Sequence, residues 1–114
     1  MAVISFSARK DEIWVAARWA LRELLADVSA QYPDDRQMAE KFKEAVALDG
    51  LHLDLLDPSL AQRITRALGL VVDGVLDGSI KSGISVRYPD AQTLEAYREG
   101  LLGLKAVLGA AQVH

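Results

Sequence analysis

Apolar residues recur at spacings of three and four through Trp14, Ala17, Leu21, Leu24, Leu25 and Val28, a period that predicts a helix from about Asp11 to Gln31. Ser7 or Asp11 is placed to cap it. Tyr32-Pro33 ends it, because the residue before a proline is driven out of the helical region. Asp34, followed three residues later by Gln37, reads as a capping box, and Met38, Phe42, Ala45 and Val46 mark the buried face of a second helix that stops at Asp49-Gly50. In the next run, LHLDLL, the apolar residues at 51, 53 and 55 alternate as in a strand but fit a helical turn equally well, so the run is read as a packed connector. Asp57-Pro58 combines an N-cap acceptor with a proline at the first helical position and opens a third helix. Leu60, Ile64, Ala67, Leu68, Val71 and Val75 form its core stripe, and Asp77-Gly78 ends it. Asp90 opens a fourth helix to about Ala111, with Leu94, Tyr97, Leu101, Leu104 and Leu108 on one stripe.

Between Gly78 and Pro89 the period changes to two. Ile80, Ile84, Val86 and Tyr88 take even positions while Lys81, Ser85 and Arg87 take odd ones, as in an extended ribbon. Its one evident pairing partner is the Val3 to Phe6 segment. The pattern as a whole predicts an all-α fold: a four-helix bundle-like single domain over residues 1–114, with a short extended or hairpin segment around residues 79–89.

Composition narrows the function classes. A chain of 114 residues that is 51% hydrophobic fits one core. Thirteen Lys and Arg against sixteen Asp and Glu give a net charge of -3, which builds no positive field for a phosphate backbone, so no nucleic acid is expected as a partner. With no cysteine and two histidines, the usual zinc ligand sets cannot be assembled; no metal and no cofactor are expected. No stretch of about eighteen apolar residues occurs, and the opening MAVISFSARKDE has no basic stretch ahead of its apolar patch, so a cytoplasmic protein without a membrane segment is expected. The Ala- and Leu-rich usage fits a GC-rich bacterial genome.

Trp19 projects away from the Leu21 and Leu25 stripe, onto the side that carries Val15, Ala26, Glu12 and Glu23. It is either covered by another element, such as the ribbon, or an exposed aromatic anchor of the kind enriched in binding hot spots. On the last helix, the side opposite the leucines carries Ala96, Gly100, Gly103, Val107 and Ala110. Interior glycines cost about 1 kcal/mol each relative to alanine, so two on one face point to a close neighbour: the rest of the domain, or a symmetry mate across a homodimer seam. Asp49, His52, Asp54 and Asp57 crowd the connector but match no metal-binding spacing and are read as cap and loop residues. Gly78-Ser-Ile-Lys-Ser-Gly83 lacks the spacing of a phosphate-binding loop. His52 is the one internal histidine, and carboxylate pairs such as Asp34-Asp35 or Glu95-Glu99 sit where capping and helix solvation already account for them, so no catalytic set is expected.

These features favour a non-enzymatic protein whose work is to bind another protein, specifically a small bacterial immunity or inhibitor protein that occludes a toxin or effector. Trp19 would be its anchor, with Lys81, Arg87 and Tyr88 as further contacts. The alternatives are a self-associating structural or adaptor protein using Ala96, Gly100, Gly103 and Val107, and a bundle with a ligand pocket near Trp14, Arg18 and Tyr97.

Overall fold

Strand-forming residues dominate the first turn of the chain. AVIS and IWVA are short runs of β-branched, aromatic and small residues, and in the computed structural model, which describes residues 1–113, they are strands β1 (Ala2–Ser5) and β2 (Ile13–Ala16). They pair antiparallel, with Val3 opposite Val15 and Ile4 opposite Trp14. The connection between them contains a single 3-10 turn, Lys10–Glu12. Strand β3 (Gly50–His52) lies parallel on the other side of β1, with Ile4 opposite Leu51, giving the order β2-β1-β3. Five α-helices complete the chain: α1 (Arg18–Gln31), α2 (Arg36–Leu48), α3 (Pro58–Asp77), the single turn α4 (Ile84–Arg87) and α5 (Ala91–Val113).

The protein is therefore mainly helical but not the expected all-α four-helix bundle, because a small mixed sheet forms part of its core. Helix α1 starts seven residues later than Asp11, at Arg18. The helical period read through Trp14 was produced by a strand: Trp14 and Ala16 point inward at spacing two, and Trp14 also falls seven residues before Leu21. Four residues are too few for periodicity to separate the two forms. Neither Ser7 nor Asp11 caps the helix; Ala17 occupies the N-cap without a side-chain bond. The capping box does not form: Asp35 rather than Asp34 is the N-cap and accepts from the Met38 amide (3.1 Å), and Met38 carries no carboxylate or amide to return the bond. The connector resolves into β3 followed by a 3-10 turn, Leu53–Leu55, in which Leu53 is buried and Leu55 exposed.

The ribbon around residues 79–89 does not form either. Both edges of β1 are already taken by β2 and β3, which leaves Val3 to Phe6 no free edge for it. Residues 84–87 coil into α4 instead, with the Ile84 carbonyl accepting from the Tyr88 amide (2.7 Å). Ile84 is buried while Val86 is 75% exposed, so the even positions do not share a face.

The third and last long helices begin as expected. Asp57 accepts from the Leu60 amide (3.3 Å) with Pro58 in the first turn, and Asp90 accepts from both the amide and the hydroxyl of Thr93 (2.8 and 2.6 Å). Gly78, at φ 86°, ends α3 in the left-handed region that glycine enters without a Cβ clash. One continuous apolar cluster joins Ala2, Ile4, Trp14 and Leu51 of the sheet to Leu24, Leu25 and Val28 of α1, Phe42 of α2, Ile64, Leu68 and Val71 of α3, and Leu101, Leu104 and Leu108 of α5. Among the described residues, no helix is long and apolar enough to cross a membrane.

Candidate functional site

Helix α1 buries its leucine stripe and also, one turn apart on another side, two carboxylates: Glu23 and Asp27 are 7% and 5% exposed. A carboxylate removed from water needs donors nearby, and both find them in the segment that covers them. Glu23 receives Arg87 Nε (2.8 and 3.0 Å to its two oxygens) and also Arg87 Nη2, a bidentate ion pair. Asp27 accepts from the Gly83 amide (3.0 Å) on Oδ1, and from the Ser82 hydroxyl (2.5 Å) and the Tyr97 hydroxyl (3.0 Å) on Oδ2. Burial, and then the charge of Asp27, pushes the Tyr97 hydroxyl far above the ordinary tyrosine range, so it stays a donor. The hydrogen bond to Glu23 raises the already high pKa of Arg87, so the guanidinium stays charged.

These bonds fasten the loop and α4 to the body from beneath. Gly74 assists from α3, because a side chain there would collide with Ile80, which lies against the helix backbone. The fastened segment carries an aromatic slot. The Trp19 ring lies 6.0 Å from that of Tyr88 and 6.2 Å from that of Tyr97, both tilted, as aromatic pairs prefer. Trp19, Tyr88, Gln92, Thr93 and Ala96 line a surface hollow of about 260 Å³, and a shallow groove of about 580 Å³ runs along Lys81, Ile84, Ser85 and Leu94. Tyr88 remains 37% exposed at the lip.

Of the residues marked as contacts from sequence, Trp19, Lys81, Arg87 and Tyr88 all belong to this region. Trp19 is partly buried and packs on the core, covered by α4 and Tyr88. Arg87 is engaged by Glu23, whereas Lys81 is exposed and makes no ion pair among the described residues. Ala96, Gly100, Gly103 and Val107 divide: Ala96 joins the aromatic hollow, Val107 packs against the core, and the two glycines face the Trp14 indole, whose Nε1 donates to the Gly100 carbonyl (2.9 Å). Trp14, on β2, is thus a neighbour of both glycines at ordinary contact distance, and Gly103 remains exposed. Trp14 and Tyr97 are buried side chains, Tyr97 also lining the groove beside Lys81, and Arg18 pairs with Asp49 (3.0 Å).

The connector acids disperse. Asp49 closes α2 in the left-handed region, Asp57 caps α3, and only His52 and Asp54 meet, through Ser5. Among the described residues, no three His, Cys, Asp or Glu side chains converge as metal ligands. Ser5, His52 and Asp54 have the residue types of a nucleophilic triad but not its order. Both His52 Nδ1 (2.8 Å) and Asp54 Oδ1 (3.1 Å) meet the Ser5 hydroxyl itself. A nucleophilic triad requires the carboxylate on the far nitrogen of the imidazole, and among the described residues no bond joins Asp54 to His52.

Comparison with known proteins finds no matching family model, no matching curated protein and no matching solved structure. Glu23 and Asp27, which organise the region, were not singled out as contacts from sequence, nor were Ser82 and Tyr97. The available signal was their spacing: acids at positions 23 and 27 lie one turn apart on the side of Trp19, in a helix whose other acids are absent.

Proposed function

We propose that this chain is a non-enzymatic, cytoplasmic protein-binding protein, and within that class a bacterial immunity or inhibitor protein that neutralises a cognate toxin or effector by occluding its site. The observation that carries the reading is the loop-and-α4 surface, which holds Val86 and Tyr88 outward while two buried carboxylates grip the segment from below. A contact surface ordered before binding loses less conformational freedom on association, and aromatic side chains supply contact area with few rotatable bonds. The Tyr88 edge and Val86 are the anchors in this reading, backed by Trp19, and Lys81, which makes no ion pair among the described residues, is a cation beside them. The net charge of -3 favours a basic partner at long range. The arrangement at Ser5, whose hydroxyl meets both His52 and Asp54 directly where a triad would place the carboxylate behind the imidazole, supports a role without chemistry.

Affinity capture from the source cells identifies the partner, and titration of the purified pair then tests the surface. Tyr88→Ala and Val86→Asp, both on exposed positions, should each weaken the complex by about 2 kcal/mol or more. Unchanged affinity in both variants would overturn the assignment. Recovery of the chain only as its own dimer would favour self-association through α5.

A further inference from the structure

Glu12, in the 3-10 turn that leads into β2, is as buried as Glu23 and Asp27, yet its donors among the described residues are few. It is 5% exposed, and both groups that approach it, the Ser7 hydroxyl (2.8 Å) and Arg9 Nε (3.4 Å), meet Oε2. No described residue donates to Oε1, and among the described residues no buried side-chain oxygen lacks a partner, so Oε1 is not sealed from solvent. Glu12 lines a cavity of about 350 Å³ whose walls include Phe6, Leu53 and Thr65, with Gln62 and Arg66 at its rim. Thr65 donates its hydroxyl proton to the Ala61 carbonyl (2.7 Å), which leaves its oxygen able only to accept. Ala111, near the end of α5, also lines the cavity and brings the negative end of that helix towards it. The interior thus offers acceptors between apolar walls. The rim offers the opposite charge, since Arg66 is exposed and has no ion-pair partner among the described residues.

We propose that this cavity binds a small zwitterion, an α-amino acid with an apolar side chain. Its ammonium group donates to Glu12 Oε1 and Thr65 Oγ1, its carboxylate meets the Arg66 guanidinium, and its side chain lies against Phe6 and Leu53. Each end is recognised by the opposite charge, and the buried carboxylate gains the donor that the fold does not supply. The site is separate from the loop-and-α4 surface and does not depend on the protein-binding reading.

The test is a titration of the full chain with L-valine, L-leucine, L-methionine and L-phenylalanine, followed by calorimetry and by amide shifts in the nuclear magnetic resonance spectrum. For whichever of these binds most tightly, two analogues follow, its amide without the carboxylate and its deaminated acid without the ammonium. The expected result is saturable binding at millimolar concentration or below, with shifts at Phe6, Glu12, Leu53 and Thr65. Each analogue should bind about tenfold more weakly or worse, as should the Glu12→Gln and Arg66→Ala variants with the parent amino acid. Arg66 is exposed, so its variant tests the site without risk to folding. No saturable binding by any of the four would overturn the proposal. So would equal affinity for parent and analogues, which would reveal only an apolar hollow.

Discussion

Glu23 and Asp27 on one side of the molecule and Glu12 on another are buried to nearly the same degree, but the chain treats them differently. The first two receive donors from a loop, a short helix and α5, and every carboxylate oxygen has a partner. Among the described residues Glu12 is held through one oxygen, and it lines a cavity. A carboxylate saturated from within its own chain fixes structure, whereas one left half-satisfied retains capacity for a donor from outside. The difference separates a region built to present a rigid outer surface from a region built to receive.

The largest effect expected from breaking this contrast is on stability at Asp27. Asp27→Ala leaves the Tyr97 hydroxyl and the Gly83 amide without their acceptor inside the fold, and should cost about 3 kcal/mol by chemical denaturation. A loss below about 1 kcal/mol would mean that water already reaches the site. The alkaline limb gives a second measure. In the folded state Tyr97 holds its proton well above its unfolded value of about 10. The stabilising difference is therefore intact below pH 10 and is lost as pH rises beyond it, because the unfolded chain releases a proton that the folded chain keeps. The slope attributable to Tyr97 is about 1.4 kcal/mol per pH unit, and Tyr97→Phe should remove that much of the fall. An identical alkaline limb in the variant would contradict the burial of this hydroxyl. A smaller, local effect is expected at Arg87, whose side chain is half exposed. Arg87→Ala should speed hydrogen exchange at the amides of residues 84–88 about tenfold while leaving those of α3 unchanged. Equal acceleration in both would make the ion pair a global support rather than a fastening for the loop.

Much of this organisation was legible in the sequence where local rules decide. The starts of α3 and α5 follow from Asp57-Pro58 and Asp90, whose bonds reach only three residues along the chain. The leucine stripes of α1 and α5 follow from period alone. The sheet was hidden because its strands are three or four residues long and its pairing joins residues far apart, such as Ile4 with Leu51. That the glycines of α5 lie beside Trp14 could not be read locally, because it depends on IWVA being a strand. The ribbon failed for a tertiary reason: an alternating pattern predicts an extended chain only when a free edge exists, and here Asp27 takes the Ser82 hydroxyl and Gly83 amide as α4 begins. The same long range concealed the site, since Glu23 and Arg87 are 64 residues apart and nothing in the local pattern ties them.

The smallest stability effect should come from Glu12, and it sharpens the contrast most. Glu12→Gln keeps an oxygen to accept from Ser7 and fills the same volume, so it loses only the long contact with the exposed Arg9. It also removes a buried charge that is only partly matched by donors, which is itself a relief. The two terms oppose each other, and the variant should unfold within about 1 kcal/mol of the parent in the same denaturation experiment. Asp27→Asn, an equally small change, lacks that compensation. Turned towards Gly83 N, the NH₂ sets donor against donor; turned towards the Ser82 and Tyr97 hydroxyls, it can be accepted by their oxygens but leaves the two protons they gave to Asp27 without their acceptor. A substantial loss in Asp27→Asn beside near-neutrality in Glu12→Gln would show that donor saturation, rather than burial, decides what each carboxylate is for. Equal losses in the two variants would place Glu12 among the structural fastenings and leave the cavity beside it without a charged floor kept for a ligand.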